Sequence, residues 1–345
     1  MLSTKCCRKK IARQASLRQL SAFLLFALLA GSAFCQETTV RSQTNLVLIP
    51  TLVKDSQGET VYGLQAKDFI IEDNGVEQAV RLDDAPEGQP ISLVLAIQTG
   101  RRASYEFPRM AGLKTMLDPL FAGGTARVAV VEFDSQIRLT RTFTRDESLI
   151  DADLDDLQQG DGGARILDAV NYSVELLKKE PQDRMRVLLL ISETRDHGSR
   201  IKIEDAVAAI GQSNSVMYAL AFSPGLSNIL DTGRGVNTPF DPNGKNEMHP
   251  GVDFIDLAYQ AAQAMRKNAP STVAAMTGGE YELFATRKKF EVRMNDFTNH
   301  LHSRYLLSFT PNDPRPGLHQ IRVRLRGAGN DVVLARSRYW VEAAK

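Results

Sequence analysis

The longest apolar runs in the chain are ISLVLAI (91–97), RVAVVEF (127–133), RVLLLIS (186–192) and SVMYALAF (215–222). Runs of this length with little polar alternation are the pattern of strands covered on both faces, as in a parallel sheet. Between them, apolar positions recur at helical spacing: Met110, Leu113, Leu117 and Leu120, then Ile166, Ala169, Val170, Ser173, Val174 and Leu177. The second helix is predicted to stop at Lys178-Lys179-Glu180-Pro181, where cations meet the carbonyl end and a proline follows. Strand and helix alternate from about 90 to 300, which predicts an α/β domain with a doubly wound, mostly parallel sheet. QIRLTRTF (136–143) follows the second strand too closely for a helical crossover and is expected as an antiparallel edge strand.

The flanks carry a different pattern. Residues 44–85 read as a small amino-terminal β module, with TNLVLIPTLVKD as a strand and Asp73-Asn74-Gly75 as a hairpin turn between two strand-like pieces. DDAPEGQP (83–90) is a linker, and the α/β domain is placed at 90–300. Short alternating strands with Pro- and Gly-rich turns return at 303–341 as a carboxyl-terminal β segment. Residues 223–252, rich in Gly, Pro and Asn, form a long loop leaving the carboxyl end of a strand, and loops of that length are functional or disordered. The expected fold is therefore α/β with small flanking β modules.

Composition changes this picture at the amino terminus. Residues 1–19 hold six basic and no acidic residues, and LSAFLLFALLAGSAF follows as an apolar stretch. This order predicts a signal peptide over 1–35, cleaved after Ala33-Phe34-Cys35, or a membrane anchor if it is retained, and hence a secreted, periplasmic or envelope protein. The whole chain carries 42 basic and 41 acidic residues, so loss of six basic residues leaves 36 against 41, a net charge of −5. Such a balance gives no electrostatic footprint for nucleic acid. Cys6, Cys7 and Cys35 all lie in the leader, so a chain starting at Gln36 has no disulfide, cysteine nucleophile or thiolate metal site. Contact with a membrane is expected only through an uncleaved leader.

Motifs for common chemistries are few. HExxH, Gx4GK[ST] and GxSxG are absent. GDGGA (160–164) is Gly-rich, but it lacks a following lysine and lies between helices rather than after a strand. His300 and His302 are one residue apart, which separates them around a helix, so they read as ordinary surface histidines. Glu193, Asp196 and His197 form the one acid/base cluster at a strand end, which is the basis of an alternative reading as a hydrolase. That reading lacks a placed nucleophile; Ser192, Ser199 and Thr99 are near only by topology.

The carboxyl ends of parallel strands form the ligand-bearing rim of an open α/β sheet. There the first strand gives Gln98-Thr99-Gly100-Arg101-Arg102. With strands, helices and rim placed, the sequence resembles the von Willebrand factor A-type domain family, and more closely the secreted bacterial group called the VWFA-related Acidobacterial domain family. The resemblance spans about residues 44–340. TNLVLIPTLVKDSQGETVYGLQAKDFIIEDNGVEQAV is similar to that group's amino-terminal module, and RYLLSFTPNDPRPGLHQIRVRLRG to its carboxyl-terminal segment. It implies a non-enzymatic module for protein–protein interaction or adhesion. It also implies a rim where the family holds a divalent cation with Asp-x-Ser-x-Ser, a Thr from a Gly-Gly-Thr loop, and a closing Asp. On this chain those positions fall on Gln98, Gly100 and Arg102, on Ala164 after Gly162-Gly163, and on Glu193. One carboxylate remains where hard cations need several oxygen ligands, so no metal and no other cofactor is expected. Glu193 is expected to face a cation at Arg102. Three readings stay open: a rim that binds nothing, with Arg101 or Arg102 locked onto Glu193; a metal-dependent adhesive domain; or a rim whose arginines meet an acidic side chain of a protein partner. The candidate partner-binding residues are thus Gln98, Thr99, Gly100, Arg101, Arg102, Gly163, Ala164 and Glu193.

Overall fold

A computed structural model describes residues 46–83, 89–222, 254–327 and 329–343. The leader predicted at 1–35, the loop predicted at 223–252 and most of the linker predicted at 83–90 lie outside the described residues. The chain opens with β1 (Val47–Lys54), β2 (Phe69–Asp73), β3 (Val76–Gln78) and β4 (Arg81–Asp83). The α/β part follows as β5 (Ile91–Gln98), α1 (Leu113–Ala122), β6 (Arg127–Phe133), β7 (Ile137–Thr144), α2 (Glu147–Asp155), α3 (Ile166–Lys178) and β8 (Met185–Glu193). It continues with α4 (Ile203–Gln212), β9 (Ser215–Phe222), α5 (Phe254–Lys267), α6 (Ala269–Thr277), β10 (Tyr281–Phe284) and α7 (Arg287–Leu301). The chain closes on β11 (Tyr305–Phe309), β12 (Gly317–Leu325), β13 (Val332–Ala335) and β14 (Arg338–Val341).

The central sheet has the order β10-β9-β8-β5-β6-β7, with every neighbouring pair parallel except β6 and β7. The predicted doubly wound fold and its antiparallel edge strand are both present. The apolar continuity of β5 has a direct cause. Leu93, Leu95 and Ile97 enter the core packed by α1 and α7, while Val94 and Ala96 enter the one packed by α3 to α6. On α3, Ile166, Leu167, Val170, Val174 and Leu177 are all buried, each worth roughly 1.5–3 kcal/mol. Met110 ends a short 3-10 turn (Phe107–Met110) rather than joining α1. β10, a parallel strand at the far edge, has no counterpart in the sequence reading.

The two terminal β segments build one sandwich. Its sheets run β13-β1-β11-β4 and β14-β12-β2-β3, so strands from before residue 90 hydrogen-bond to strands from beyond residue 300. Ile49, Val53, Phe69 and Ile71 share a core with Leu307, Phe309, Ile321 and Val323. The Asn74-Gly75 turn joins β2 to β3 with φ of 48° and 83°, which is why an Asn-Gly pair stands there. Inside the sandwich His319, 1% exposed, contacts Asp73 through Nδ1 (3.0 Å) and the Arg315 carbonyl through Nε2 (2.7 Å). Tyr339 donates to the other Asp73 oxygen (2.8 Å), and burial together with the Asp73 charge pushes its phenol far above the usual range. His300 departs from its reading as a surface histidine. It is mostly buried and its Nδ1 lies 2.8 Å from Glu280, because α7 packs that side of the helix against the start of β10.

Candidate functional site

Among the described residues, the carboxyl ends of β5, β6 and β8 bring Gln98, Thr99, Gly100, Arg101, Gly163, Ala164 and Glu193 together, with Arg102 exposed beside them, while the 223–252 loop lies outside the described residues. Gln98 is 1% exposed and stitches two strand tips: its Oε1 accepts from the Glu193 backbone N–H (2.9 Å), and its Nε2 donates to the Gly100 carbonyl (3.2 Å) and Glu193 Oε1 (3.3 Å). Thr99 is fully buried. Its hydroxyl donates to the Phe133 carbonyl (3.3 Å) and accepts from Arg138 Nη2 (3.1 Å). Gly100 is needed by contact: a Cβ built there would lie 2.0 Å from the Gly163 carbonyl oxygen, which no side chain can tolerate. That contact presses the tip of β5 against the 160–164 loop.

Immediately after Gly100 the chain turns into the left-handed region, with Arg101 at φ 58°. Its backbone N–H donates to the Asp161 carbonyl (2.6 Å), and its side chain folds back so that Nε meets Glu193 Oε1 at 2.7 Å. The cation on Glu193 is therefore Arg101 and not Arg102, a correction that follows from this backbone turn. Arg101 keeps 38% of its side chain exposed while the Glu193 side chain keeps 10%. Arg102 is exposed, and among the described residues no carboxylate is paired with it.

Three rim residues, Asp134, Arg138 and Asp161, escaped the sequence reading. Asp134, at the tip of β6, is 4% exposed and pairs with Arg138 Nη1 at 2.8 Å. Asp161 accepts from the Ser135 hydroxyl, the Ser135 N–H (2.9 Å) and the Gly163 N–H (2.8 Å), and these bonds hold its carboxyl below the ordinary range, the hydroxyl contributing most. The signal was available: Phe133-Asp134-Ser135 leaves a buried parallel strand at the same rim.

Ala164 is buried, and its backbone forms a reciprocal bridge with His197 (3.1 and 2.8 Å). This places the imidazole Nε2 4.0 Å from Glu193 Oε1. The other members of the proposed acid/base cluster are engaged elsewhere. Asp196 Oδ1 accepts from the Leu167 N–H (3.0 Å), satisfying a free donor of the first turn of α3, and from the Ser199 hydroxyl (2.5 Å). The Ser192 hydroxyl donates to the Glu193 carbonyl (2.9 Å). Neither serine is activated by the imidazole in this arrangement, and a nucleophile–base contact is the first requirement of the chemistry.

Residues 101–195 match the sequence model of the von Willebrand factor type A domain. Among solved structures the chain is similar to the conserved hypothetical protein BatB from Bacteroides thetaiotaomicron, at 12% identity over 61% of this chain and 98% of that one, with a TM-score of 0.39. It is also similar to the vWF domain of the type V pili tip protein Mfa5 from Porphyromonas gingivalis, at 8% identity over 61% and 95%, with a TM-score of 0.40. The PilB minor pilin from Streptococcus sanguinis aligns at 11% identity over 62% of each chain, with a TM-score of 0.39. No curated protein matches the chain.

A divalent cation is the group this family implies at the rim, and the donor set here does not fit one. Glu193 Oε1 already receives Arg101 Nε and Gln98 Nε2, the Thr99 hydroxyl receives Arg138, and Asp134 is held by the same guanidinium. Among the described residues no three His, Cys, Asp or Glu side chains gather as a metal site, whereas a hard cation needs six or more oxygen ligands. The matched segment begins at Arg101, just past the tip of β5, and carries the 160–164 loop and the end of β8, so that over residues 101–195 this chain matches the von Willebrand factor type A domain.

Proposed function

We propose that this chain is an exported protein-interaction module, not an enzyme, whose rim recognises an acidic side chain on a protein partner through arginine and without a divalent cation. One observation carries the reading: the rim carboxylate Glu193 is neutralised internally by Arg101, while Arg102 beside it is exposed and unpaired among the described residues. In the metal-bound family the cation accepts the partner's carboxylate. A guanidinium offers a fixed fork for the same group and needs no metal. Gln98, Thr99, Gly100, Gly163 and Ala164 hold the platform rigid, and Arg101 stands half-exposed at its edge. Delivery beyond the cytoplasmic membrane is supported by the basic, acid-free leader and its apolar stretch.

The test is an affinity pull-down from an envelope fraction with and without chelator, followed by affinity measurements on the partner for wild type, Arg101→Ala and Arg102→Glu. Binding should survive chelation, weaken as salt rises, and fall by tenfold or more in Arg102→Glu, since a like charge then faces the carboxylate. Chelator-sensitive capture, or equal affinity in all three proteins, would refute it. Sequencing the amino terminus of the exported protein should find a start near Gln36.

A further inference from the structure

The opposite end of the central sheet carries a feature that the rim does not use. At the amino ends of β8 and β9 a cavity of about 240 Å³ opens between the α/β domain and the sandwich. Its walls include Arg184, Arg186, Arg304 and Arg336 and, among the described residues, no aspartate or glutamate. The apolar part comes largely from the sandwich, with Leu48 and Pro50 of β1 and Leu306 of β11, while Gln89 and Gln182 stand at the solvent side.

Most hydrogen bonds of these arginines go to neutral groups, although Arg184 also lies 3.9 Å from Glu180. Arg304, 7% exposed, donates through Nε to the Tyr218 hydroxyl (2.7 Å) and through Nη1 to the Gly278 carbonyl (2.6 Å). Arg336, 5% exposed, donates through Nε to the Arg338 carbonyl (2.8 Å) and through Nη2 to the Gly211 carbonyl. Arg186 donates through Nη2 to the Glu180 carbonyl (2.6 Å), and Arg184 to the Ser92 hydroxyl (2.7 Å) and the Thr125 carbonyl (2.6 Å). Nearby acids are already engaged: Glu180 with Arg127 at 3.1 Å, and Glu280 with Lys54 and His300. Two buried donors, Arg186 Nε and Arg304 Nη2, have no partner among the described residues. A guanidinium stays charged in a protein, and even Arg336, pulled down to about 10 by burial, is protonated at neutral pH. Water in the cavity would satisfy the free donors but would not neutralise this charge.

We infer that the cavity is a binding site for a small oxyanion, a carboxylate or phosphate group, held by Arg186 and Arg304 between the sandwich and the α/β domain. Two unspent guanidinium donors, excess positive charge and an apolar wall together select a compact anion over a neutral or cationic ligand. The volume lies just below the usual range of about 300–1,000 Å³ for small-molecule pockets, which suits an anion smaller than a nucleotide. A bound anion touches both layers at once, so its occupancy is read as stability of their association.

The experiment follows the thermal unfolding midpoint while phosphate, sulfate or succinate is added at constant ionic strength, with chloride as the matched control. A saturable rise with at least one oxyanion is expected. Phosphate and sulfate against succinate distinguish a phosphate-type from a carboxylate ligand. Arg186→Gln, at a partly buried position, should need about tenfold or more anion for the same rise, because one charge-assisted bond is lost. Arg304→Lys, which keeps the charge and loses the fork, should be weakened too. Arg287→Gln, at an exposed position on α7 outside the cavity lining, should respond as wild type. A midpoint that follows ionic strength alone, or an Arg186→Gln response equal to wild type, would overturn the inference.

Discussion

Glu280 offers the sharpest quantitative prediction, because it joins the two layers through charge. It lies just before β10 in the α/β domain, yet it accepts from Lys54 at the end of β1 in the sandwich and from His300 on α7. Only 11% of its side chain is exposed. Burial by itself would raise its pKa; the His300 hydrogen bond and then the Lys54 and Arg304 charges overcome that and bring it from 4.5 down to about 2. A carboxyl whose folded pKa is depressed stabilises the fold above its unfolded value and loses that contribution as pH falls through the folded value. The difference corresponds to about 3 kcal/mol, present in full above about pH 5 and gone near pH 2.

Glu280→Gln keeps the shape and removes the charge, so the variant should be less stable than wild type by about 3 kcal/mol at pH 6. Near pH 3 the gap should shrink to roughly 1–1.5 kcal/mol, and at pH 2 to a few tenths. Urea unfolding of both proteins at several pH values between 2 and 6 measures it, with equal m-values as the check that the unfolded states match. A double cycle with Lys54→Met isolates the contact between the layers, which should couple by about 0.5–3 kcal/mol. A gap that stays constant across this window would refute the reasoning, since it would mean that the substituted amide fails for a steric reason rather than for lost charge.

Gly100→Ala should lower the urea midpoint by the equivalent of about 1–3 kcal/mol, because its Cβ would press on the Gly163 carbonyl at 2.0 Å; an unchanged midpoint would mean that the 160–164 loop yields freely. Asp196→Ala should cost about 1 kcal/mol by freeing the Leu167 N–H at the start of α3, with Asp196→Asn closer to wild type, both read from thermal or urea unfolding. Titration calorimetry with magnesium, calcium and manganese should find no saturable site at the rim; one that disappears in Glu193→Ala would contradict the assignment of the Glu193 oxygens to Arg101 and Gln98.

The central sheet was legible because its strands are covered on both faces, which leaves no polar alternation to confuse the reading; Leu93 and Val94 both face a core, on opposite sides. β10 was not legible, since Tyr281, Glu282 and Leu283 are half-buried at a sheet edge and four residues carry no period. The interleaved sandwich was beyond local pattern for a different reason. Val47 pairs with Phe309 and Ile71 with Val323, and nothing in either segment alone states which distant strand it will meet. At the rim the residue types were readable but their geometry was not. Arg101 occupies a left-handed backbone turn that arginine rarely adopts, and that single dihedral decides which guanidinium reaches Glu193.

The two ends of the sheet differ in how charge is balanced, and that difference sets apart the two proposed sites. At the carboxyl rim the buried acids Glu193 and Asp134 have their own guanidinium groups, Arg101 and Arg138, while Arg102 is exposed and has no carboxylate partner among the described residues. An exposed cation of this kind is screened by salt, and it governs encounter and partner choice more than stability. At the amino end the guanidinium groups lean mostly on carbonyls and hydroxyls, with Arg184 also 3.9 Å from Glu180, and two donors remain unspent beside a cavity that no described carboxylate lines. Buried charge is screened far less, so an anion entering there acts on the fold itself. Added salt therefore discriminates between them: it should weaken a partner held at the rim through simple screening, whereas only the chemical identity of the anion, at fixed ionic strength, should register at the cavity.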